Sequence, residues 1–160
     1  MTDADVGGAI GTLLRRQVRL VSAVLPGMRE RRWGRRILAV GTSGISAPLP
    51  NLALSNLGRA ALAGYLKTLA AEVAADGATV NLLLPGRIAT ARAMALDQAQ
   101  AEQSGRSLDD IEEQAVAQIP AGRYGNPAEF GSVAAFLCSR PASYVTGTAL
   151  RCDGGLVRSL

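Results

Sequence analysis

Residues 54–75, LSNLGRAALAGYLKTLAAEVAA, run directly into the apolar stretch 78–84, ATVNLLL, and this pairing restricts the fold more than any other feature. Leu54, Leu57, Ala61, Leu62, Tyr65, Leu69 and Val73 recur every three or four residues and draw one apolar stripe down a long helix. Asp76-Gly77 stops that helix, because glycine suits the left-handed position after a helix end. The apolar run beyond it has the character of a strand buried on both faces of a parallel sheet, and Pro85-Gly86 closes it. A helix feeding such a strand is half of a parallel α/β unit.

The remaining segments fit around that unit. Residues 6–31 carry Ile10, Leu13, Leu14, Val18, Val21 and Leu25 at helical spacing, which predicts a first helix that Pro26 kinks or ends. Gly34 makes a turn, residues 36–42 (RILAVGT) form a second buried strand, and 43–51 is a loop with two prolines. Residues 87–118 are less apolar and predict a loop carrying one or two small helices, with Ser107 capping the second. Asn126-Pro127-Ala128-Glu129 is a helix start: Asn caps, Pro takes the first position, and Glu returns a hydrogen bond to the cap. That helix runs to about residue 139 with Phe130, Val133, Ala134 and Leu137 inward, and 148–151 forms a last short strand ended by Asp153-Gly154-Gly155. Such alternation predicts an α/β fold, a doubly wound parallel sheet with helices on both faces.

At 160 residues the chain suits one domain. It has no apolar run long enough to span a bilayer, and its start, MTDADVGG, lacks both the basic opening and the apolar core of a secretory signal. The expectation is a cytoplasmic protein with no membrane partner. Arg29, Arg31, Arg32, Arg35 and Arg36 crowd together, but no aromatic platform or reader motif accompanies them, so they read as a solvated turn and no nucleic-acid partner is expected. Cys138 and Cys152 are too far apart for a redox motif and too few for a disulfide framework. There is no histidine, which excludes Ser-His-Asp and Cys-His sites and argues against a metal.

Four motifs, taken in order, carry a family resemblance. Val80-Asn81-Leu82-Leu83-Leu84-Pro85-Gly86, with Thr90 beyond, resembles the VNxxxPGxxxT segment of short-chain dehydrogenases/reductases. Arg123-Tyr124-Gly125-Asn126-Pro127-Ala128-Glu129-Phe130 resembles their RxGxPxEF turn, and Ser143-Tyr144-Val145-Thr146-Gly147 with Asp153-Gly154-Gly155 resembles their closing SxYxTG and DGG. Leu25-Pro26-Gly27-Met28 and Gly34-Arg35 fit the helix before the family's catalytic strand. The likeness spans nearly the whole chain and is nearest to 3-oxoacyl-acyl-carrier-protein reductases. It implies a partial Rossmann-like domain over residues 1–160, the second part of the family's fold. It also implies NAD or NADP as cofactor and a small carbonyl or alcohol as substrate.

The same resemblance exposes departures. The family's glycine-rich dinucleotide turn has no counterpart, since Gly7, Gly8 and Gly11 follow no strand. Aligned on Pro48, Pro50 and Asn51, the family's catalytic Tyr falls on Ser55, its Lys on Arg59, its strand-end Ser on Thr42 and its helix Asn on Leu13 or Leu14. Ser55 is a far weaker acid than a phenol, whereas Arg59 keeps a positive charge on the same helix face. Tyr65 lies ten residues further on, roughly 15 Å at ~1.5 Å per residue, and cannot substitute. A branch of the family shares the pattern LSNxxR, so this is a lineage trait. The expected centre is therefore Thr42, Ser55 and Arg59, with Arg59, Pro85, Gly86, Ile88 and Thr90 at the cofactor. Pro85-Gly86 with Asn81 reads either as that cofactor loop or as a plain strand end, and Thr90 either as a contact or as a cap. Two functions stay open: an oxidoreductase, or a remnant that keeps the scaffold without the chemistry. In both, the chain is expected to associate with itself or with a complementing N-terminal fragment along the outer edge of strand 36–42. Small residues Ala60, Ala63, Gly64 and Ala71 would let partner helices close in.

Overall fold

The computed structural model describes residues 1–31 and 34–159. The order is α1 (Asp3–Ile10), a π-helical segment (Gly11–Arg15), α2 (Arg16–Glu30), β1 (Arg36–Val40), α3 (Ala53–Val73), β2 (Thr79–Pro85), α4 (Ala91–Ser104), α5 (Leu108–Ala117), α6 (Pro127–Cys138) and β3 (Ala149–Cys152). The three strands form one parallel sheet with β2 in the centre. Every residue from Thr79 to Leu84 is buried, as a strand covered on both faces requires. Val80, Leu82 and Leu84 point to one face and pack with Leu62, Leu66, Leu69, Ala70 and Val73 of α3. Helix α6 lies against β1 and β2, with Leu137 buried and Phe130, Val133 and Ala134 partly so. This is the partial doubly wound sheet expected from the residue pattern.

Local chemistry sets the element ends. After α3 a short 3-10 turn leads to Gly77 in the left-handed conformation, φ 72°. Arginines then gather on this helix end. Arg29 Nε sits 2.7 Å from the Asp76 carboxylate, Arg35 donates to the Asp76 carbonyl, and Arg36 Nη1 reaches the Gly77 carbonyl at 3.4 Å. Cations suit the negative end of a helix, so these members of the cluster are bound in place and not merely solvated. Arg32 lies outside the described residues.

The first helix departs from expectation. It starts at Asp3 because Thr2 and Asp5 form a capping box, with Asp5 N–H donating to Thr2 Oγ1 at 3.2 Å and Thr2 N–H to the Asp5 carboxylate at 2.7 Å. Pro26 does not end it, since α2 continues to Glu30. The π-helical widening at Gly11–Arg15 faces Gly58 of α3, where a Cβ would sit 2.9 Å from Leu13 Cβ. The two helices close to that distance because Gly58 has no side chain. Residues 87–118 also differ, being mostly helix. Few of their side chains need to be apolar, because only Asp97, Ala101, Ile111 and Ala115 of α4 and α5 are buried. Ser107 caps α5 as expected, accepting from Asp110 N–H at 3.1 Å.

Among the described residues no strand pairs with the outer edge of β1, and Val40 at its end is 54% exposed. None of the described helices is long and apolar enough to cross a membrane, and no group of potential metal ligands is present among the described residues.

Candidate active site

Parallel strands end together, and the register puts Val40 beside Leu83 and Pro85 beside Cys152. Thr42, just past β1, and residues 85–90, at and past β2, therefore share the carboxyl edge of the sheet, where ligands bind in open α/β folds. Thr42 caps a 3-10 turn (Ser43–Ile45), its hydroxyl oxygen accepting from Gly44 N–H at 3.3 Å. Accepting occupies a lone pair and leaves the hydroxyl proton free to be donated. Ser55 and Arg59 lie one turn apart at the start of α3, roughly 6 Å at ~1.5 Å per residue. Arg59 Nη1 donates to the Val40 carbonyl at 3.4 Å, which brings its guanidinium to the strand end that Thr42 follows. Ser55 is partly buried, and its hydroxyl makes no hydrogen bond among the described residues. Tyr65 packs against the apolar core.

The LSNxxR pattern has a second use that sequence reading missed. Asn56 grips the loop before it, its side-chain NH2 donating to the Leu49 carbonyl at 2.9 Å and its oxygen accepting from Leu49 N–H at 3.5 Å. That fixes the approach to the site from one side.

The second arm starts at Pro85. Gly86 N–H bonds the Cys152 carbonyl at 3.0 Å, and a Cβ on Gly86 would fall 2.6 Å from Asp153 Cα. Close approach of the closing turn therefore accounts for this glycine. Asn81 is likewise committed: its NH2 donates to the Val145 carbonyl at 2.8 Å and its oxygen accepts from Thr148 N–H at 3.2 Å. Thr90 caps α4 by accepting from Ala93 N–H at 3.3 Å. Ile88 is different. Its neighbours bond across to Gly125, Gly125 N–H to the Arg87 carbonyl at 2.8 Å and Ala89 N–H to the Gly125 carbonyl at 2.9 Å. In such a parallel bridge the central residue's own amide and carbonyl face the other way. Those of Ile88 have no partner among the described residues.

Next to the Ile88 bridge lies a cluster absent from the expectations, built on one buried carboxylate. The Asp97 carboxylate, 1% exposed, accepts from Arg87 Nη1 and from the Tyr124 hydroxyl at 2.8 Å. Arg87 also lies over the Tyr124 ring, 5.8 Å from its centre. Burial, and then the bond to Asp97, pushes the Tyr124 hydroxyl above its ordinary range, so it stays a donor. Burial also raises the Cys152 thiol, with the Glu129 and Asp153 charges adding to it, which makes it a poor nucleophile.

Helix α6 starts beside this arm with the expected box. Asn126 Oδ1 accepts from Ala128 N–H at 2.8 Å, and the Glu129 carboxylate accepts from Asn126 N–H at 2.7 Å. Arg123 grips Glu129 through two bonds, 2.7 and 2.9 Å. Arg123 first, then the Asn126 amide, hold the carboxyl down at about 2. A lowered folded-state value means this support is complete above the ordinary glutamate value of about 4.3 and is lost as pH falls through about 2. Protection of the Asn126 amide against exchange, taken relative to its unstructured rate at each pH, is therefore expected to fall across that window, and Glu129→Gln to remove the transition.

A family model described as enoyl-(acyl carrier protein) reductase matches residues 1–157. The chain belongs to the short-chain dehydrogenase/reductase family. It is 40% identical over 159 residues to the 3-oxoacyl-[acyl-carrier-protein] reductase of Salmonella typhimurium, covering 98% of this chain and 59% of that protein. The chain thus spans about three-fifths of the length of that curated relative. The structure of L-sorbose reductase from Gluconobacter frateurii, complexed with NADPH and L-sorbose, superposes with a TM-score of 0.91 at 29% identity, over 100% of this chain and 61% of that one. An NADPH-bound short-chain oxidoreductase from Pseudomonas aeruginosa PAO1, described as containing an atypical catalytic center, gives a TM-score of 0.84 at 26% identity, over 100% and 60%. The Rossmann-like parallel sheet is thus the second part of a short-chain dehydrogenase/reductase fold.

Proposed function

We propose that Thr42, Ser55, Arg59 and residues 85–90 form the centre of an oxidoreductase that moves hydride between NAD or NADP and a ketone or secondary alcohol, with 3-oxoacyl thioesters as the substrate class. One observation carries this reading: a permanent cation and a hydroxyl with a proton to give meet at one strand end, Arg59 on the Val40 carbonyl and Thr42 beyond it. The Salmonella relative supports the substrate class, and the NADPH-bound Pseudomonas neighbour supports an altered centre on this scaffold.

The residues fit the nicotinamide end of a dinucleotide. Ile88 offers one free amide donor and one free carbonyl acceptor, the complement of a carboxamide. Pro85 and Gly86 form the floor beside it, and Arg59 and the Thr90 hydroxyl would hold the ribose. When bound, the dinucleotide supplies the hydride for reduction or accepts it for oxidation. Thr42 and Arg59 hold the substrate oxygen and stabilise the negative charge that grows there. Ser55 is too weak an acid to protonate that oxygen usefully, so the proton comes from water.

For the pyrophosphate the fit fails among the described residues. Gly7 and Gly8 lie within α1 and Gly11 in the π-helical segment, all in open space and none after a strand. The 160-residue polypeptide is therefore expected to bind NADPH more weakly than low-micromolar, and calorimetry finding tighter binding would contradict this. The open edge of β1 points to self-association or to a complementing N-terminal fragment, which would pair its free backbone groups.

A second reading, a scaffold without chemistry, draws on one fact: Arg59 and Thr42 already bond the backbone. Turnover separates the two. Incubating the protein with NADPH and a 3-oxobutanoyl thioester should yield one 3-hydroxyacyl thioester per NADPH oxidised. No product from thioesters or simple ketones would favour the scaffold.

A further inference from the structure

The reaction as derived leaves the most buried charged group of this region unused. Asp97 belongs to α4, yet its carboxylate binds one side chain from each partner of the Ile88–Gly125 bridge: Arg87, just before Ile88, and Tyr124, just before Gly125. Both are gripped one residue away from the bridge. The bridge itself is tight, since a Cβ on Gly125 would lie 2.8 Å from Ile88 Cδ1. Nothing else polar among the described residues ties α4 to both segments at once.

We propose that Asp97 is a positioning residue for the nicotinamide: by clamping Arg87 and Tyr124 together it fixes the direction in which Ile88 presents its free amide and carbonyl, and so sets recognition of the cofactor's carboxamide. This rests on the reading that places the nicotinamide at Ile88. The clamp works from behind, because a carboxylate 1% exposed has no open path to a ligand. Its negative charge is the part that matters. It holds Arg87 by charge-assisted bonding, which is shorter and stronger than a neutral hydrogen bond, and the Tyr124 hydroxyl, raised above its ordinary range, keeps its proton and donates a hydrogen bond to the carboxylate.

The test uses the protein and its variants Asp97→Asn and Tyr124→Phe, with two readouts. The first needs no cofactor. Amide exchange at Ala89 and Gly125, which bond across the bridge, should quicken in Asp97→Asn while Leu82 and Leu83 of β2 stay protected. The second is calorimetric affinity for NADPH and for its 3-acetylpyridine analogue, whose ring lacks the carboxamide NH2. The parent should prefer NADPH, by about tenfold for one well-placed hydrogen bond, and Asp97→Asn should erase that preference. Tyr124→Phe, which removes the hydroxyl's bonds to Asp97 and to Arg87 and keeps the ring, should lie between and decides the matter if Asp97→Asn does not fold. Unchanged exchange at Ala89 and Gly125, or an unchanged preference for NADPH, overturns the proposal. If the parent binds neither dinucleotide but the exchange still quickens, the nicotinamide reading of the site fails and the cofactor role of Asp97 falls with it.

Discussion

Arg59→Ala is expected to lower kcat/KM for carbonyl reduction by about 100-fold, the loss typical of one group stabilising a developing oxyanion. The guanidinium reaches the end of β1 through the Val40 carbonyl and is the one permanent charge the proposed centre brings to the substrate oxygen. Thr42→Ala should cost less, because it removes a neutral donor. Ser55→Ala should cost least, under about tenfold, since a serine hydroxyl cannot act as the acid at neutral pH. Were Ser55 the proton donor, its loss would cost roughly 100- to 10,000-fold. Turnover rates of the three variants with one ketone give the ranking. A larger loss from Ser55→Ala than from Arg59→Ala would put the proton path through the serine.

Arg87→Leu is expected to destabilise the fold by about 3 kcal/mol, at the low end for breaking a buried ion pair by removing one partner. The direction of the substitution decides the size. Asp97 is 1% exposed while the Arg87 side chain is 37% exposed, so removing Arg87 strands a carboxylate with only the Tyr124 hydroxyl to hold it. Removing the charge from Asp97 leaves an arginine that can turn toward water. Asp97→Asn should therefore cost clearly less than Arg87→Leu in a denaturant titration. Equal losses would mean that Asp97 is reached by solvent in the folded protein.

The contrast between what the sequence announced and what it concealed follows the range of the forces. The helix stop at Gly77, the burial of β2 and the capping of α5 and α6 by Ser107 and Asn126 were legible, because each rests on neighbours within a turn or on an unbroken apolar run. The motifs around Pro85-Gly86 and Arg123 were also legible, through family likeness. The π-helical widening was not, since it answers a contact between Leu13 and Gly58, far apart in sequence. The Arg87–Asp97–Tyr124 cluster was hidden for the same reason, and an aspartate on a polar helix reads as solvated. One signal was present: Ala93, Asp97 and Ala101 share a helix face, so the aspartate interrupts an alanine stripe that turns inward. Gly86 carries a constraint its motif did not announce: besides the cofactor contact the motif suggested, it must admit Asp153.

In the proposed centre, carbonyl chemistry runs on a fixed cation and a hydroxyl, with water as the proton source. The pH profile of kcat is the test. Arginine stays charged in proteins, serine and threonine hydroxyls do not ionise in this range, and the chain has no histidine. With a simple ketone and saturating NADPH, kcat is predicted to be level from about pH 6 to about pH 10. A limb within that range, with an apparent pKa near 7 to 9, would reveal a titrating acid in the centre and contradict the claim.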